Sequence, residues 1–424
     1  MEISTDKPLI SMILFVLKLC ACIVLCLGQN QGVEVPQYQK DVNKIRESTT
    51  NFSIELLYAA KQQGEQNFVL SPVAAWTMLA VTAEGALGYS RQELLVALRF
   101  LPKQAIEVVR FYHQEITRQL IVDKTTAEYK NFSGIFIHRG DWFGIKDSFR
   151  QIAEEYYNTE AVDLNFENKA TAATINRAVS LTTEDRIPTI IDESHLNNTE
   201  LIITSAVYFQ GKWTAPFNDS TVKRDFFNSV GEKIGEVNMM YSRYTYPYAN
   251  ISGLQASVIE LPYGVDNHMS MILMLPNPGI TLQNMIVNLQ IHFNTVFQEL
   301  RVSKERAVEI ECYIPRFRIV SNFELNEILK HSMGIHDLFN PEKGYLFGLT
   351  SRWPIRGIKV IHKSEIDVTA EVSAPFSSGS NTSEFTNDNT VFTFEANRPF
   401  IYFIVEKHSN TIVLEGVYQR PVLY

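Results

Sequence analysis

The chain contains many side chains that could act as nucleophiles, bases or metal ligands, but their spacing matches no catalytic motif. Its 424 residues include nine histidines, yet the zinc pattern His-Glu-x-x-His and the nucleophile pattern Gly-x-Ser-x-Gly are both absent from the sequence. Gly211-Lys212 is followed by Trp213 rather than by the Ser or Thr of a phosphate-binding loop. No histidine pairs at metal-ligand spacing with Cys312, the only cysteine beyond residue 28. A catalytic triad assembled from distant residues stays open as an alternative, but we predict that the protein is not an enzyme and needs no cofactor and no metal.

One polar segment near the C-terminus is a better candidate for function. Residues 373–390 comprise 18 positions, of which 11 are Ser, Thr or Asn, and they lie between two strand-like runs. Connections longer than about 12 to 15 residues in a compact domain are usually functional or disordered. Because exposed loops on a rigid body commonly carry recognition, the sequence indicates that this loop binds a partner.

The first half of the chain, which must help to position that loop, is predicted to be mainly helical. Ser71 and Pro72 are typical of a helix start, and Gly85 of its end. The pattern Ser90-x-x-Glu93 predicts a capping box at the start of a second helix. A third helix is indicated by an apolar stripe that consists of Val109, Tyr112, Ile116 and Leu120.

From about residue 201 the pattern changes to strands. The unbroken apolar run 201–209 predicts a central strand that is covered on both faces. Alternation around Cys312 predicts a half-buried strand with a buried thiol, a reactive thiol being the alternative. Ser321-x-x-Glu324 predicts another capping box, for a helix that ends at Gly334. Three strands are predicted near 391–395, 400–405 and 411–417, so the whole pattern favours a single α+β domain.

Composition excludes several classes of protein. Apolar residues make up 45% of the chain and charged residues 20%, a balance typical of globular proteins. The formal net charge is −9 and there is no block of lysine or arginine, so we do not expect the protein to bind nucleic acid.

The N-terminus indicates secretion. Residues 1–28 combine a polar start that includes Lys7, an apolar run over 19–27 and small residues three and one before a plausible cut after Gly28, which is the pattern of a signal peptide. The alternative is an uncleaved membrane anchor over 9–27, which Lys18 near its middle makes costly. After cleavage we expect no membrane insertion, an N-terminal extension over 29–44 and a domain over 45–424.

Six Asn-x-Ser/Thr sequons support an extracellular address. None has proline in the middle position, and we expect several to be glycosylated and therefore exposed. The six asparagines are Asn51, Asn131, Asn197, Asn218, Asn250 and Asn381.

A series of short blocks resembles the serpin (serine protease inhibitor) family in order and spacing, over roughly residues 45–422. The blocks are Asn67-Phe-Val-Leu-Ser71-Pro72, Ser205-Ala-Val-Tyr-Phe-Gln-Gly-Lys-Trp213-Thr-Ala-Pro216-Phe217, Val237-Asn-Met-Met240, Leu261-Pro-Tyr263, Ile314-Pro-Arg-Phe317, Met333-Gly-Ile-His-Asp-Leu-Phe339, Ile361-His362-Lys363 and Asn397-Arg398-Pro399-Phe400. The resemblance implies about nine helices, three β-sheets and an exposed reactive-centre loop over about 370–391. It also implies an extracellular serine protease as partner, which cleaves the loop and is trapped when the cut loop inserts as a new strand of the main sheet. We expect the protein to be a monomer.

The hinge that must enter the sheet first departs from the family pattern, which resembles Glu-Glu-Gly-Thr followed by small residues. Val372 replaces the flexible glycine, and Pro375 has no N–H to donate inside a strand. The bulky Phe376 follows it, so we predict slow insertion. The matching hinge positions are Ala370, Glu371, Val372, Ser373, Ala374, Pro375 and Phe376.

Other positions implied by the resemblance are a polar cluster beneath the sheet and the loop-entry residue. His362 and Ser71 match the family cluster, whereas Ala74 stands where a second serine is common and Ser205 where asparagine is common. Ala178 stands where the family usually has tryptophan, and Trp213 at the loop entry is retained.

The scissile bond is less well fixed by the sequence. Counting from the hinge places it after Thr386, and counting back from the block at 397–400 places it after Asp388, with Asn387 between them. No Lys or Arg lies between Lys363 and Arg398, and Phe385 is the best anchor, which favours a chymotrypsin- or elastase-like protease over a trypsin-like one. The alternative is a non-inhibitory serpin that acts as a binding, carrier or storage protein.

Overall fold

The computed structural model describes residues 37–140, 143–218, 220–306, 308–371, 392–422 and 424, and of residues 37–43 the backbone alone. Most helices lie in the first half of the chain, as the sequence predicts. The described residues form eight α-helices, which are α1 (Gln37–Gln62), α2 (Pro72–Gly85), α3 (Gly88–Ala97), α4 (Ile106–Gln119), α5 (Asp147–Tyr157), α6 (Ala170–Thr182), α7 (Leu282–Arg306) and α8 (Asn326–His331). Two short 3₁₀ helices, Glu193–Leu196 and Asp337–Phe339, lie between them.

Fifteen strands of the described residues form three sheets. In chain order they are β1 (Phe68–Leu70), β2 (Ala127–His138), β3 (Glu160–Leu164), β4 (Leu201–Gly211), β5 (Val222–Phe227), β6 (Lys233–Thr245), β7 (Tyr248–Ile251), β8 (Ala256–Tyr263), β9 (Met269–Pro276), β10 (Glu309–Pro315), β11 (Phe317–Glu324), β12 (Ile358–Val368), β13 (Phe392–Glu395), β14 (Phe400–Glu406) and β15 (Thr411–Tyr418). The sheet orders are β1-β15-β14-β9-β8-β7, β13-β10-β6-β5 and β11-β12-β4-β2-β3. Together with the helices they make an α+β fold with three sheets, as predicted.

Strand β4 is the centre of the five-stranded sheet. Ile202 and Ala206 belong to a cluster on one face that includes residues of α6, and Leu201 and Ile203 belong to the largest apolar core on the other face. Because both faces are covered, nearly every residue of β4 is buried, which explains the unbroken apolar run in the sequence.

Sequence patterns that depend on local geometry are confirmed. Ser71 is the N-cap of α2, where its side chain accepts a hydrogen bond from the N–H of Ala74, and Pro72 is the first helical residue. Cys312 on β10 is buried, and the apolar surroundings raise the pKa of its thiol, which disfavours the reactive thiolate.

Both predicted capping boxes are wrong. Helix α3 begins at Gly88, and Ser90 inside it donates its hydroxyl to the carbonyl of Lys343. Ser321 and Glu324 lie in strand β11 rather than at a helix start. In each case the serine finds a partner distant in sequence, since Ser321 accepts a hydrogen bond from the N–H of Val69.

Residues Lys44–Tyr424 form one compact unit. Within the part of the chain that the structure describes, no helix is both long enough and apolar enough to cross a bilayer.

Candidate functional site

The seam between β12 and β4 is the place where a loop that follows β12 could enter the five-stranded sheet. The two strands are parallel and pair in continuous register over ten residue pairs, from Ile358 with Leu201 to Asp367 with Gln210. A new strand can enter here only if this whole ladder opens, so we name these paired residues the seam.

Trp213 binds the chain that follows β12, next to the end of the seam at the pair Asp367–Gln210. Its backbone N–H donates to the carbonyl of Glu371 at 2.8 Å, and its indole Nε1–H donates to the carbonyl of Thr369 at 2.6 Å. The ring is buried and stacks on Tyr263 with 4.3 Å between centroids. The side-chain amide of Gln210 adds a 3.2 Å hydrogen bond to the Glu371 carboxylate. The chain after β12 is therefore fastened to the end of β4 up to Glu371.

The structure places two of the predicted hinge residues at this end of the seam. Ala370 packs partly buried against the core that contains Trp213, and Glu371 is exposed apart from its contacts with Trp213 and Gln210. The other hinge residues lie outside the described residues, and they are Val372, Ser373, Ala374, Pro375 and Phe376.

The predicted polar cluster is assembled at the middle of the seam. His362 on β12 is directly opposite Ser205 on β4, and its Nδ1 lies 2.7 Å from Ser205 Oγ. Its Nε2 accepts a hydrogen bond from the backbone N–H of Ser71 at 2.9 Å. Because that backbone group can only donate, the neutral ring carries its proton on Nδ1 and donates it to Ser205. The cluster therefore ties the two seam strands together by a side-chain hydrogen bond.

The environment of the cluster favours the neutral imidazole. His362 is fully buried, and desolvation lowers the pKa of its ring to about 3. Ser71 uses its hydroxyl to donate to the carbonyl of Val413 at 2.7 Å, so the cluster also joins the five-stranded sheet to β15.

Sequence analysis missed one member of the cluster. Ser364 Oγ lies 2.7 Å from His362 Nε2. The available signal was the spacing of two residues, because residues i and i+2 of a strand share one face. Ser364 lies on the same strand as His362, so this contact does not cross the seam.

The predicted scissile residues Phe385, Thr386, Asn387 and Asp388 lie outside the described residues, as does the sequon at Asn381. The other five sequon asparagines are all exposed, at positions 51, 131, 197, 218 and 250. Of these, Asn250 uses its amide to donate to Ser257 and Asn277.

A family model described as Serpin (serine protease inhibitor) matches residues 47–421. The chain belongs to the serpin family. Antithrombin-III from Homo sapiens is 29% identical in an alignment of 373 positions that covers 86% of this chain and 78% of that protein. An uncharacterized serpin-like protein from Methanosarcina mazei is 27% identical in an alignment of 430 positions, gaps included, that covers 95% of this chain and 97% of that protein.

Solved structures of serpins share the fold. Mouse protein-Z dependent protease inhibitor superposes with a TM-score of 0.77 at 22% identity, covering 90% of this chain and 98% of that one. Serpin-12 of Manduca sexta gives a TM-score of 0.73 at 22% identity, covering 88% of this chain and 98% of that one. At this identity the likeness is one of fold.

In this serpin the predicted reactive-centre loop connects two different sheets. Strand β12 of the five-stranded sheet ends at Val368, and β13 of the four-stranded sheet begins at Phe392.

Proposed function

We propose that this serpin presents residues 370–391 to an extracellular serine protease and that it is cleaved more often than it traps the protease. The observation that carries the proposal is the position of the hinge. Trp213 holds the chain at Glu371, and the next residues include Val372, Pro375 and Phe376. These residues would have to be the first to enter the seam.

Insertion has a favourable end state but an unfavourable beginning. Each inserted residue gains a ladder hydrogen bond worth on the order of 1 kcal/mol, and buried apolar area adds about 25 cal/mol per Å². The seam must first lose its ladder and the Ser205–His362 hydrogen bond. Pro375 cannot donate to a ladder, since it has no N–H.

The consequence is a slow step that competes with hydrolysis of the acyl-enzyme. If the hinge residues raise the barrier to insertion by roughly 3 kcal/mol, the step slows about a hundredfold, because each 1.4 kcal/mol is a factor of ten. Water then hydrolyses the ester before the protease is distorted. The products are an active protease and a serpin with a cut loop.

The loop sequence supports a protease with an apolar primary pocket. There is no Lys or Arg between Lys363 and Arg398, so the loop offers nothing to the acidic pocket of a trypsin-like enzyme. Phe385 suits a chymotrypsin-like pocket, and Thr386 a smaller elastase-like one.

An extracellular address is supported by the signal-like N-terminus and by the sequons. All five sequon asparagines that the structure describes are exposed, as attachment of a glycan requires.

A non-inhibitory serpin that binds or carries another molecule is the second candidate. It is favoured by the same hinge residues, because a protein that no longer needs insertion can tolerate Pro375 and Phe376 there.

The test is incubation of the purified protein with chymotrypsin-like and elastase-like proteases, with a trypsin-like protease as the control. We expect cleavage within 385–388, measured by mass spectrometry, and little SDS-stable complex.

The double variant Val372→Gly, Pro375→Ala should raise the fraction of complex, whereas Ser373→Ala, a matched change at an acceptable hinge position, should not. A parent protein that forms stable complex at near one-to-one stoichiometry contradicts slow insertion. Absence of cleavage in the loop contradicts the proposal that the loop is presented to these proteases. It favours the second candidate, a non-inhibitory serpin that binds or carries another molecule.

A further inference from the structure

A cluster of two histidines and one glutamate lies at an end of strands β9 and β14, which belong to the six-stranded sheet and not to the sheet that contains the seam. Glu406 is the last residue of β14, His408 lies in the turn between β14 and β15, and His268 immediately precedes β9. The ligand atoms of the three side chains all lie within 4.8 Å of one another. We propose that His268, Glu406 and His408 bind a divalent transition-metal ion, with Zn²⁺ as the best match.

The ligand types and distances suit such an ion. His268 Nδ1 lies 3.6 Å from Glu406 Oε1, and His408 Nδ1 lies 3.0 Å from the same oxygen. Zinc is bound by imidazole nitrogen and carboxylate oxygen at about 2.0 to 2.2 Å, so neighbouring ligand atoms around one tetrahedral ion are separated by roughly 3.3 to 3.6 Å. The two distances between a histidine Nδ1 and Glu406 Oε1 are therefore close to the separation of neighbouring ligands around such an ion. Two imidazoles and one carboxylate also suit Co²⁺, Ni²⁺ and Cu²⁺.

His268 is held in the tautomer that a metal requires. Its Nε2 lies 2.9 Å from the carbonyl oxygen of Gln119, which can only accept a hydrogen bond. The proton of the neutral ring is therefore on Nε2, and the lone pair of Nδ1 faces the Glu406 carboxylate. The position between this lone pair and the carboxylate suits a cation, which is either a metal ion or a proton. A metal-bound histidine usually donates its other ring N–H to a carbonyl or carboxylate oxygen, as His268 does to the carbonyl of Gln119.

Glu406 is a rigid ligand. Its side chain is fully buried, and its two oxygens accept hydrogen bonds from the backbone N–H groups of His408 and Ser409, both at 2.8 Å. These bonds are made within the turn itself, so the carboxylate keeps its position whether or not an ion is bound. His408, in contrast, is largely exposed and leaves the remaining coordination positions open to water.

The charged neighbours are occupied elsewhere. Lys407 forms an ion pair with Glu260. Arg46 donates to the backbone carbonyls of Ser409 at 2.6 Å and His408 at 3.0 Å. Asp266 accepts from the backbone N–H of His268. Among the described residues, the only charged or titratable side chains that pair with the Glu406 carboxylate are therefore the two histidines, beside its hydrogen bonds within the turn.

Sequence spacing could not reveal this site. Glu406 and His408 are two residues apart, but His268 immediately precedes β9 and is brought beside Glu406 by the pairing of β9 with β14. The sequence-based expectation of no metal site considered histidines only with the distant Cys312, which lies in a different sheet.

The alternative to a metal ion between His268 Nδ1 and the Glu406 carboxylate is a proton on that nitrogen. A doubly protonated His268 would donate to both Gln119 and Glu406 and would need no metal. The two hypotheses differ in whether the protein takes up Zn²⁺ at neutral pH.

The experiment uses untagged protein that has been treated with a chelator. Zn²⁺ binding is followed by calorimetry, and Co²⁺ binding by its visible absorption, which reports nitrogen and oxygen ligands in low coordination. We expect one ion per chain and a higher thermal midpoint with Zn²⁺, because the ion would bind the folded state and join two chain segments that are distant in sequence. His408→Ala and His268→Gln should each weaken binding at least about tenfold. His331→Ala is the matched control, because His331 also lies 3.1 Å from a glutamate, Glu327, but has no second histidine beside it.

Each outcome decides for or against the site. Loss of binding in both site variants with retention in the control supports it. Because His408 is exposed, a normal circular dichroism spectrum is expected for that variant, and its loss of Zn²⁺ binding cannot then be attributed to unfolding. Absence of Zn²⁺ and Co²⁺ binding by the parent protein, or equal binding by all variants, overturns the proposal in favour of the protonated pair.

Discussion

His362 lies inside the five-stranded sheet and His113 within helix α4, and burial disfavours the charged form of both rings. Desolvation lowers the pKa of His362 to about 3 and that of His113 to about 4. His113 donates from Nδ1 to the carbonyl of Tyr156 at 2.8 Å and stacks on Trp76. Both rings are therefore neutral in the folded protein over a pH range in which the unfolded chain binds protons.

This difference predicts a loss of stability in mild acid. In the unfolded chain a histidine has a pKa near 6.5. As the pH falls below that value the unfolded state binds protons that the buried histidines of the folded state do not bind, so the free energy of unfolding decreases. Each such histidine lowers the free energy of unfolding by up to about 1.4 kcal/mol per pH unit until its folded pKa is reached. Buried Glu415 acts in the opposite direction, because desolvation raises its pKa.

The measurement therefore compares a variant with its parent. Urea unfolding at pH 7, 6 and 5 should give His362→Gln a smaller loss of stability toward acid than the parent, by about 1 kcal/mol per pH unit. Equal slopes for His362→Gln and the parent would mean that His362 is protonated in the folded protein.

At the scale of elements, β12 and β4 are joined by their ladder and by one side-chain hydrogen bond. Ser205 and Ser364 both contact His362, but only Ser205 is on the opposite strand. The two serines can therefore be compared as a matched pair of substitutions. Removal of either hydroxyl takes one hydrogen-bond partner from the His362 ring, but only removal of the Ser205 hydroxyl breaks a hydrogen bond between β12 and β4.

We predict that Ser205→Ala opens the seam more readily than Ser364→Ala. Ser205→Ala should cost about 1 to 3 kcal/mol, because the buried Nδ1–H of His362 loses its acceptor, and Ser364→Ala should cost less, because Nε2 still accepts from the N–H of Ser71. Amide hydrogen exchange of β12 and β4 should quicken in Ser205→Ala beyond the change in global stability, and should follow global stability in Ser364→Ala. The same acceleration in both variants would show that the hydrogen bond across the seam does not control its opening.

The elements also separate what the sequence could reveal from what it could not. The buried run of β4 and the N-cap at Ser71 were predicted because period and cap are local signals. The capping boxes at Ser90 and Ser321 were wrong because a four-residue pattern cannot tell whether a serine will find its partner in the next turn or, as here, in Lys343 or Val69. The clustering of Ser71, Ser205 and His362 was expected from family resemblance, whereas His268 with Glu406 needed the sheet topology.

At the scale of the whole molecule, a cut in the loop separates the thermodynamics of insertion from its kinetics. In an acyl-enzyme, insertion must outrun hydrolysis. In a serpin whose loop has been cut and whose protease has been removed, nothing competes, so even a slow hinge has time to enter the seam. The thermal midpoint of the cleaved protein, measured at intervals after cleavage, therefore reports the rate of insertion.

We expect the thermal midpoint of the cleaved protein to be unchanged at first and to rise during incubation. Insertion of about ten residues would contribute on the order of 10 kcal/mol, which corresponds to a rise of roughly 20 °C in a domain of this size. In the variant Val372→Gly, Pro375→Ala the rise should be complete within the time of cleavage. A parent midpoint that rises at once would remove the hinge as the cause of poor trapping. A midpoint that never rises in either protein would mean that the seam does not accept the loop, and the non-inhibitory reading would then account for the retained fold.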